Sequence, residues 1–323
     1  MSKINLLITG SAGFIYSNFI RYMRNNFPEY HISSIDAIKD IKATNSIYYN
    51  RGHDFYMGDI TDHHFVNNVF EIVKPDIVIH GAAESFVDKS LIAGQEFVKS
   101  NVLGTQVLID ASIKYKVNKF IYASTDEVYG ALDSEDEKSW NEESPLNPRN
   151  PYSATKASGE LLVKAANISH GLNYIITRSC NNYGPRQPRR NLIPVLIANI
   201  LEEKECPIYG QGMQIREWLH VLDHCKAIKL LIEKGEMNNV YNISSGQEYR
   251  NIEVFNEICN IMGKGNQLLK FIPDPRRGHD FRYSINCDKL KNLGWKHDFK
   301  FKGTDGGLAH TINFYKANQW ILK

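Results

Sequence analysis

The stretch INLLITGSAGFIY, residues 4–16, decides the fold class. Residues 4–8 form an apolar run that predicts a buried strand, and Gly10 and Gly13 follow it in a turn that leads into a helix. Glycine lets the backbone approach a pyrophosphate closely, and the free N–H groups of a helix N-terminus attract phosphate. The stretch therefore predicts a dinucleotide-binding strand–turn–helix unit.

Two further residues bear on the dinucleotide. Asp36 lies at the end of the next predicted strand, twenty residues after Tyr16. A carboxylate there accepts hydrogen bonds from ribose hydroxyls and repels a 2′-phosphate, so Asp36 favours NAD over NADP. Tyr16 stands where a third small residue usually lets the helix pack closely on the strand. Either its ring weakens NAD binding by pushing the helix outward, or the ring turns outward and its neighbours are adjusted.

Short apolar strands alternate with helical segments through the first half of the chain. The predicted strands are residues 4–8, 31–35, 54–57, 77–80, 120–123 and 174–177, with a further strand at 240–243. This alternation predicts an α/β fold with a Rossmann-type, doubly wound parallel sheet. We expect residues 1–178, with returning segments near 217–246, to form the dinucleotide-binding domain. Residues 179–216 and 247–323 are expected to form a smaller, interwoven α/β lobe.

The composition excludes several classes of function. The 323 residues are 42% hydrophobic and 23% charged, and the net charge of +2 does not indicate a nucleic-acid or membrane partner. No apolar run approaches the roughly 18 residues of a membrane span. The five cysteines form no CxxC pair, so we expect neither a metal site nor disulfides, and a cytoplasmic location.

Tyr152 and Lys156 lie four residues apart, after the predicted helix start at Asn150. Residues i and i+4 share a helix face, and an ammonium beside a phenol lowers the pKa of the phenol. The tyrosinate could then take a proton from a substrate hydroxyl as hydride leaves the same carbon. Such a pair is common on ordinary helices, but its place downstream of a dinucleotide turn favours a catalytic role.

Thr125, Asp126 and Glu127 follow the predicted strand 120–123. The carboxyl ends of strands in a doubly wound sheet face the ligand crevice. Two adjacent carboxylates there are expected to have pKa values pushed apart, so that one donates a proton and the other accepts one. A solvated surface loop could also carry this pair, but the neighbouring hydroxyl and the tyrosine–lysine helix favour catalysis.

Seven segments together resemble the dTDP-glucose 4,6-dehydratases over essentially the whole chain. They are residues 9–15, 82–85, 124–130, 152–156, 181–185, 214–219 and 278–280. The Thr-Asp-Glu triplet is the most specific, because related epimerases and decarboxylases usually lack its acid–base pair. The resemblance implies that Thr125 orients the sugar, Asp126 is the general acid, Glu127 is the general base, and Tyr152 is the base for oxidation beside Lys156.

The resemblance also implies two sets of binding residues. The residues expected to contact NAD are Gly10, Gly13, Phe14, Ile15, Asp36, Asp59, Ile60, Ala82, Ala83, Ser124, Tyr152, Lys156 and Asn182. Those expected to contact the nucleotide sugar are Ser85, Thr125, Asn181, Asn191, Leu192, Pro207, Tyr209, Arg216, Asn251, Arg276 and His279. For Arg216, a surface ion pair with Glu217 is the alternative.

The implied reaction oxidises C4 of a dTDP- or UDP-linked glucose, removes water across C5–C6, and returns the hydride to C6. The 4-keto-6-deoxy product would enter deoxysugar formation, rhamnose being one example. The resemblance further implies a homodimer built on helices near residues 97–116 and 152–170. A nucleotide-sugar epimerase and a non-catalytic sugar-nucleotide-binding protein are the alternatives.

Two departures from the family pattern lie on the substrate side. Phe86 stands where the family usually has histidine, and Asn191 replaces the usual lysine. Arg189 or Arg190 is expected to compensate for that lysine. These changes leave the identity of the nucleotide open.

Overall fold

The computed structural model describes residues 3–38, 52–275 and 280–322. A seven-stranded parallel sheet lies at its centre, in the order β3-β2-β1-β4-β5-β6-β10. Its strands are β1 Ile4–Thr9, β2 Tyr30–Asp36, β3 Asp54–Met57, β4 Ile77–His80, β5 Lys119–Thr125, β6 Tyr174–Ser179 and β10 Asn239–Ile243. The order reverses between β1 and β4, and the doubly wound prediction is confirmed.

Helices cover both faces of this sheet. In chain order the helices are α1 Phe14–Asn26, α2 His63–Val73, α3 Val87–Ser90, α4 Gly94–Phe97, α5 Gly104–Lys114, α6 Pro151–His170, α7 Leu192–Leu201, α8 Val221–Lys234, α9 Asn251–Met262, α10 Asp288–Asn292 and α11 Gly307–Ala317. Apolar side chains of α1 and α8 pack on one face, and those of α2, α5 and α6 pack on the other. These two cores explain why strands such as β4 are buried throughout.

The helix expected at residues 97–116 is divided into three parts. A π-helical segment, Val98–Leu103, joins α4 to α5. Asn101 is the buried residue of that segment. Single π turns inside helices are often found beside functional sites, and Asn101 makes its contacts there, as described below.

The second half of the chain adds two small sheets. One has the order β11-β9-β7 and the other pairs β12 with β8. Their strands are β7 Asn181–Tyr183, β8 Cys206–Tyr209, β9 Ile215–His220, β11 Glu248–Arg250 and β12 Leu269–Ile272. A third core, formed largely by α7, α9 and α11, packs around them. The proposed boundaries of the two domains stay a prediction.

Among the described residues, none of the helices combines the length and the apolar character that a bilayer span needs. All five cysteines are free and buried. Cys225 belongs to the core between α1 and the sheet, and Cys206 and Cys259 belong to the core of the second half. These thiols therefore contribute to packing.

Candidate active site

One cavity of about 1020 Å³ collects the predicted site residues. It opens at the carboxyl ends of the parallel strands, where doubly wound folds bind their ligands. Every predicted catalytic, cofactor and substrate residue within the described ranges lines it. Arg276 and His279 lie outside the described residues. The roles of the lining residues stay predictions, but their convergence on one cavity is observed.

The turn after β1 has the geometry that a phosphate needs. Gly10 has a φ of +75°, and a Cβ added to it would lie 2.6 Å from the backbone nitrogen of Ala82. Only glycine fits there. The Asp36 carboxylate accepts hydrogen bonds of 2.8 Å from the N–H groups of Ala12 and Ile38, and it also lines the cavity. Asp36 thus fixes the end of β2 against the turn.

Tyr16 does not turn outward. Its side chain is 5% exposed and packs edge-on against Phe19, with 6.2 Å between ring centroids. The expected outward turn is therefore wrong, because the ring lies in the core beneath α1, whereas the adjusted neighbour that the same alternative expected is present. The space for the ring is provided by Gly81, directly after β4. Whether NAD binding is weakened stays a prediction.

The carboxyl pair begins a short 3-10 helix, Asp126–Tyr129. The Thr125 hydroxyl accepts a hydrogen bond from the Glu127 N–H and donates one of 3.1 Å to Asp126. Burial raises the pKa of Asp126 to about 8, and the charges of Glu127 and Glu217 add to the rise. Asp126 therefore keeps its proton near neutral pH, as a general acid requires.

Glu127 is held from the catalytic helix. Asn150 is the N-cap of α6, where its side-chain oxygen accepts a hydrogen bond of 2.9 Å from the Ser153 N–H. The other end of the same amide, Nδ2, donates to Glu127 Oε2 at 2.9 Å. One side chain thus joins the start of the helix that carries Tyr152 to the predicted general base.

The expected effect of Lys156 on Tyr152 is not observed. Burial lowers the pKa of Lys156 to about 7, and its Nζ lies 4.2 Å from the centroid of the Tyr122 ring. Burial raises the pKa of Tyr152 above its ordinary value, and the charge of Glu127 raises it further. The predicted lowering is therefore wrong for the protein alone, because desolvation of the phenol outweighs a lysine whose own charge is disfavoured.

Arg216 is buried rather than on the surface. Its guanidinium donates to the carbonyl oxygens of Ile215 and Asp280, at 2.7 and 3.0 Å, and lies 4.6 Å from the centroid of the Tyr283 ring. Glu217 is buried as well, and Ser244 donates to its carboxylate. The alternative of a surface ion pair between residues 216 and 217 is therefore wrong, and Arg216 faces the cavity.

The contacts of Arg189 and Arg190, the two candidates to replace the missing lysine, differ clearly. Arg189 donates to Glu202, to Asn199 and to the backbone oxygen of Leu322, so its guanidinium is occupied by contacts within the protein. Arg190 lines the cavity, with its guanidinium 5.9 Å from the centroid of the Phe86 ring. Arg190 is therefore the arginine that can replace the lysine.

Sequence reasoning missed two positioning residues. Asn101 donates to the Glu84 carbonyl and to Thr155 Oγ1, both at 2.9 Å, and accepts from the Glu84 N–H. It thereby connects the cavity loop after β4 to α6. Tyr283 lines the cavity and donates to Asp280. Nothing in the local sequence marked either residue, because the contacts of each depend on the tertiary fold.

A doubly wound sheet, a phosphate turn and a tyrosine–lysine helix facing one cavity define a nucleotide-binding enzyme. The profile of the family described as GDP-mannose 4,6 dehydratase matches residues 7–304. The chain therefore belongs to that family.

Individual relatives agree over nearly the whole length. The low-salt glycan biosynthesis protein Agl12 of Haloferax volcanii is 39% identical, covering 97% of this chain and 98% of that protein. A dTDP-glucose 4,6-dehydratase of Streptomyces niveus is 37% identical, with coverages of 98% and 94%. The crystal structure of DesIV, a dTDP-glucose 4,6-dehydratase from Streptomyces venezuelae with NAD and TYD bound, matches with a TM-score of 0.90, 36% identity and 98% coverage of both chains.

Proposed function

We propose that this protein is an NAD-dependent nucleotide-sugar 4,6-dehydratase that acts on dTDP-glucose or UDP-glucose. The observation that carries the proposal is the convergence of Asp126 and Glu127 on the cavity that Tyr152 and Lys156 also line. Oxidation of a hydroxyl needs only Tyr152 and Lys156. A carboxyl pair beside it supplies the acid and the base that loss of water requires.

The residues present fit NAD. Gly10 leaves a cradle that a Cβ would fill, the N–H groups at the start of α1 follow it, and Asp36 lies at the end of the neighbouring strand. Bound NAD would supply a hydride acceptor during oxidation of C4 and a hydride donor to C6 afterwards. The acidic side chain at residue 36 disfavours a 2′-phosphate and so favours NAD over NADP.

The proton transfers follow from the side chains of this chain. Tyr152 must be ionised to act as the base, and the positive charge of a bound oxidised nicotinamide would favour that form. Its phenolate then accepts the proton of the C4 hydroxyl as that carbon is oxidised to a ketone, which makes the C5 proton acidic. Glu127 takes the C5 proton, and Asp126 gives its proton to the C6 hydroxyl, which leaves as water. Glu127 returns the proton to C5 as C6 is reduced, and the proton that Tyr152 took from the C4 hydroxyl restores Asp126, so the net change is the loss of one water. The raised pKa of Asp126 supports its role as the acid.

The same pair separates this proposal from its alternatives. A 4-epimerase needs no group that protonates a departing C6 hydroxyl, and a non-catalytic binding protein needs neither carboxyl. A buried Asp126 beside Glu127 is costly unless it is used, because burying an ionisable group carries a desolvation penalty. Among the described residues, Asp126 Oδ2 has no hydrogen-bond partner within the protein, as expected for an oxygen that faces a substrate.

Incubation with dTDP-glucose and UDP-glucose, followed by mass spectrometry, tests the proposal. A product lighter than the substrate by one water identifies a dehydratase, and the ratio of kcat/KM values identifies the nucleotide. A product of unchanged mass would identify an epimerase and overturn the proposal. Tyr152→Phe is the control, because it lacks the hydroxyl that starts the reaction and should form no product.

We also propose a homodimer in the cytoplasm. Helices α5 and α6 pack side by side, and apolar residues on these helices and on the π-helical segment are exposed, including Leu103 at 49%, Leu161 at 58% and Ile168 at 85%. A second copy of the chain would cover such a surface. Light scattering should give a dimer mass for the parent, and Leu161→Glu should shift the mass toward the monomer. Five free cysteines support the cytoplasmic location.

A further inference from the structure

Tyr16 and Gly81 fit each other closely. A Cβ added to Gly81 would lie 2.0 Å from Cε2 and 2.2 Å from Cδ2 of the Tyr16 ring, whereas real Cβ contacts are essentially never shorter than 3.0 Å. Gly81 is not among the glycines with positive φ, so its backbone conformation does not demand glycine. The ring of Tyr16 therefore leaves no room for a side chain at residue 81.

The segment beneath the ring also supports the phosphate turn. The N–H groups of Gly81 and Ala82 donate to the backbone oxygen and the hydroxyl of Thr9, at 3.2 and 3.1 Å. Gly10 packs against the same segment, since a Cβ on it would lie 2.7 Å from the carbonyl carbon of Gly81. Residues 81–82 thus support both the start of α1 and the turn after β1.

We propose that Tyr16 and Gly81 are a size-matched pair that positions the start of α1 and the phosphate turn for cofactor binding. The proposal rests on the proposed use of NAD. The ring fills the volume that a side chain at residue 81 would otherwise occupy, so the helix keeps its distance from the sheet. On this proposal Tyr16 supports NAD binding in this chain, which is the opposite of the alternative in which its bulk weakens binding.

The volume of the ring, rather than its hydroxyl, carries this role. The Tyr16 hydroxyl is buried and has no hydrogen-bond partner among the described residues. Burial raises the pKa of this phenol, so the group remains neutral. An unsatisfied buried hydroxyl costs free energy. Tyr16→Phe should therefore leave the Kd for NAD unchanged and raise the Tm.

A double-mutant cycle tests the pair, with NAD affinity measured by calorimetry and folding followed by thermal melting. Gly81→Ala alone should weaken NAD binding by about tenfold or more, because the added methyl displaces a ring that the core holds in place. Tyr16→Gly alone should weaken it severalfold, because it leaves a void under α1. In the double variant the added methyl no longer meets the ring, so the loss of affinity should be about that of Tyr16→Gly alone and not the product of the two single losses.

Gly94→Ala is the matched control, because a Cβ at Gly94 meets nothing within 4 Å. It should leave NAD affinity unchanged. Additive effects of Gly81→Ala and Tyr16→Gly would overturn the proposal. If Gly81→Ala does not fold, Tyr16→Gly decides alone: weaker NAD binding supports the pair, and equal or tighter binding overturns it. A parent protein that binds no NAD would instead contradict the proposed function.

Discussion

The two walls of the cavity accommodate their unusual residues in different ways. On the wall formed by α1 and the end of β4, the bulk of Tyr16 is matched by the missing side chain of Gly81. On the substrate wall, Phe86, Arg190 and Asn191 all line the open cavity. The guanidinium of Arg190 lies over the ring of Phe86, and both remain accessible to a ligand.

The difference arises because the residues of one wall pack against other protein atoms, whereas those of the other wall face a ligand. Protein interiors are close-packed, so an unusual buried ring requires a second change that makes space for it. A side chain that faces a cavity is matched by the ligand instead. We therefore expect the cofactor wall to keep the ordinary geometry of its family and the substrate wall to alter which nucleotide sugar binds.

The largest effect is expected from Glu127→Gln, which separates the walls most sharply. The amide cannot take the C5 proton, so oxidation of C4 by Tyr152 and the cofactor continues while loss of water is slowed by roughly 10²–10⁴-fold. Reduced cofactor should accumulate, which a single-turnover absorbance measurement detects. Normal turnover by this variant would contradict the assignment of the base. Asp126→Asn should slow loss of water by a similar factor.

The pH dependence of the elimination step is expected to follow Asp126. Its pKa of about 8 means that the acid form predominates below that pH and is lost above it. The single-turnover rate of water loss should therefore be high near neutral pH and fall by about tenfold for each pH unit above 8. Asp126→Asn should be slow at every pH and lack this decline. A parent rate that does not fall in alkaline solution would exclude Asp126 as the acid.

The sheet could be predicted because its signals are local. All seven strands were placed to within about one residue at most ends, since buried parallel strands are continuous apolar runs. Strands such as β8 and β9 were missed. β8 is short, and β9 carries charged residues such as Arg216. The burial of each strand depends on partner strands that are far away in sequence. Secondary structure that depends on tertiary contacts cannot be read from a local pattern.

The residues of the site could also be predicted because their motifs are local, but their pKa values could not. Motifs placed Asp126, Tyr152 and Lys156 together, but the direction of the pKa shift of Tyr152 was wrong because burial was unknown. The link between Asn150 and Glu127 joins residues 23 apart through two side-chain rotamers, which no spacing rule reveals. The match between Tyr16 and Gly81 likewise needs coordinates.

Arg190→Ala tests the substrate wall, with Arg189→Ala as its matched control. A hydrogen bond from a charged group to a phosphate contributes about 1.5–3 kcal/mol, so losing one should raise the KM for the nucleotide sugar by roughly 10- to 100-fold. Binding of NAD should not change. Arg189→Ala should lower the Tm and leave KM unaltered, because its contacts are with Glu202, Asn199 and Leu322. Equal effects of the two variants on KM would show that the walls do not differ as described.

The smallest effect is expected at Asn150, which also lines the cavity. Its amide caps α6 with Oδ1 and donates to Glu127 with Nδ2. Serine is a good N-cap but is too short to reach Glu127, so Asn150→Ser removes the second contact and keeps the first. Losing about 1 kcal/mol of positioning should lower kcat by about fivefold, with NAD affinity and Tm unchanged.

Asn150→Ala completes this test because it removes both contacts. Its kcat should fall as far as that of Asn150→Ser, since neither variant can hold Glu127. Its stability should fall further, by about 1 kcal/mol, because the N-cap is lost as well. Thermal melting and steady-state kinetics on the two variants thus separate positioning of the base from stability of the helix. If kcat followed the Tm across both variants, Asn150 would act only through the helix, and the base would be positioned by other residues.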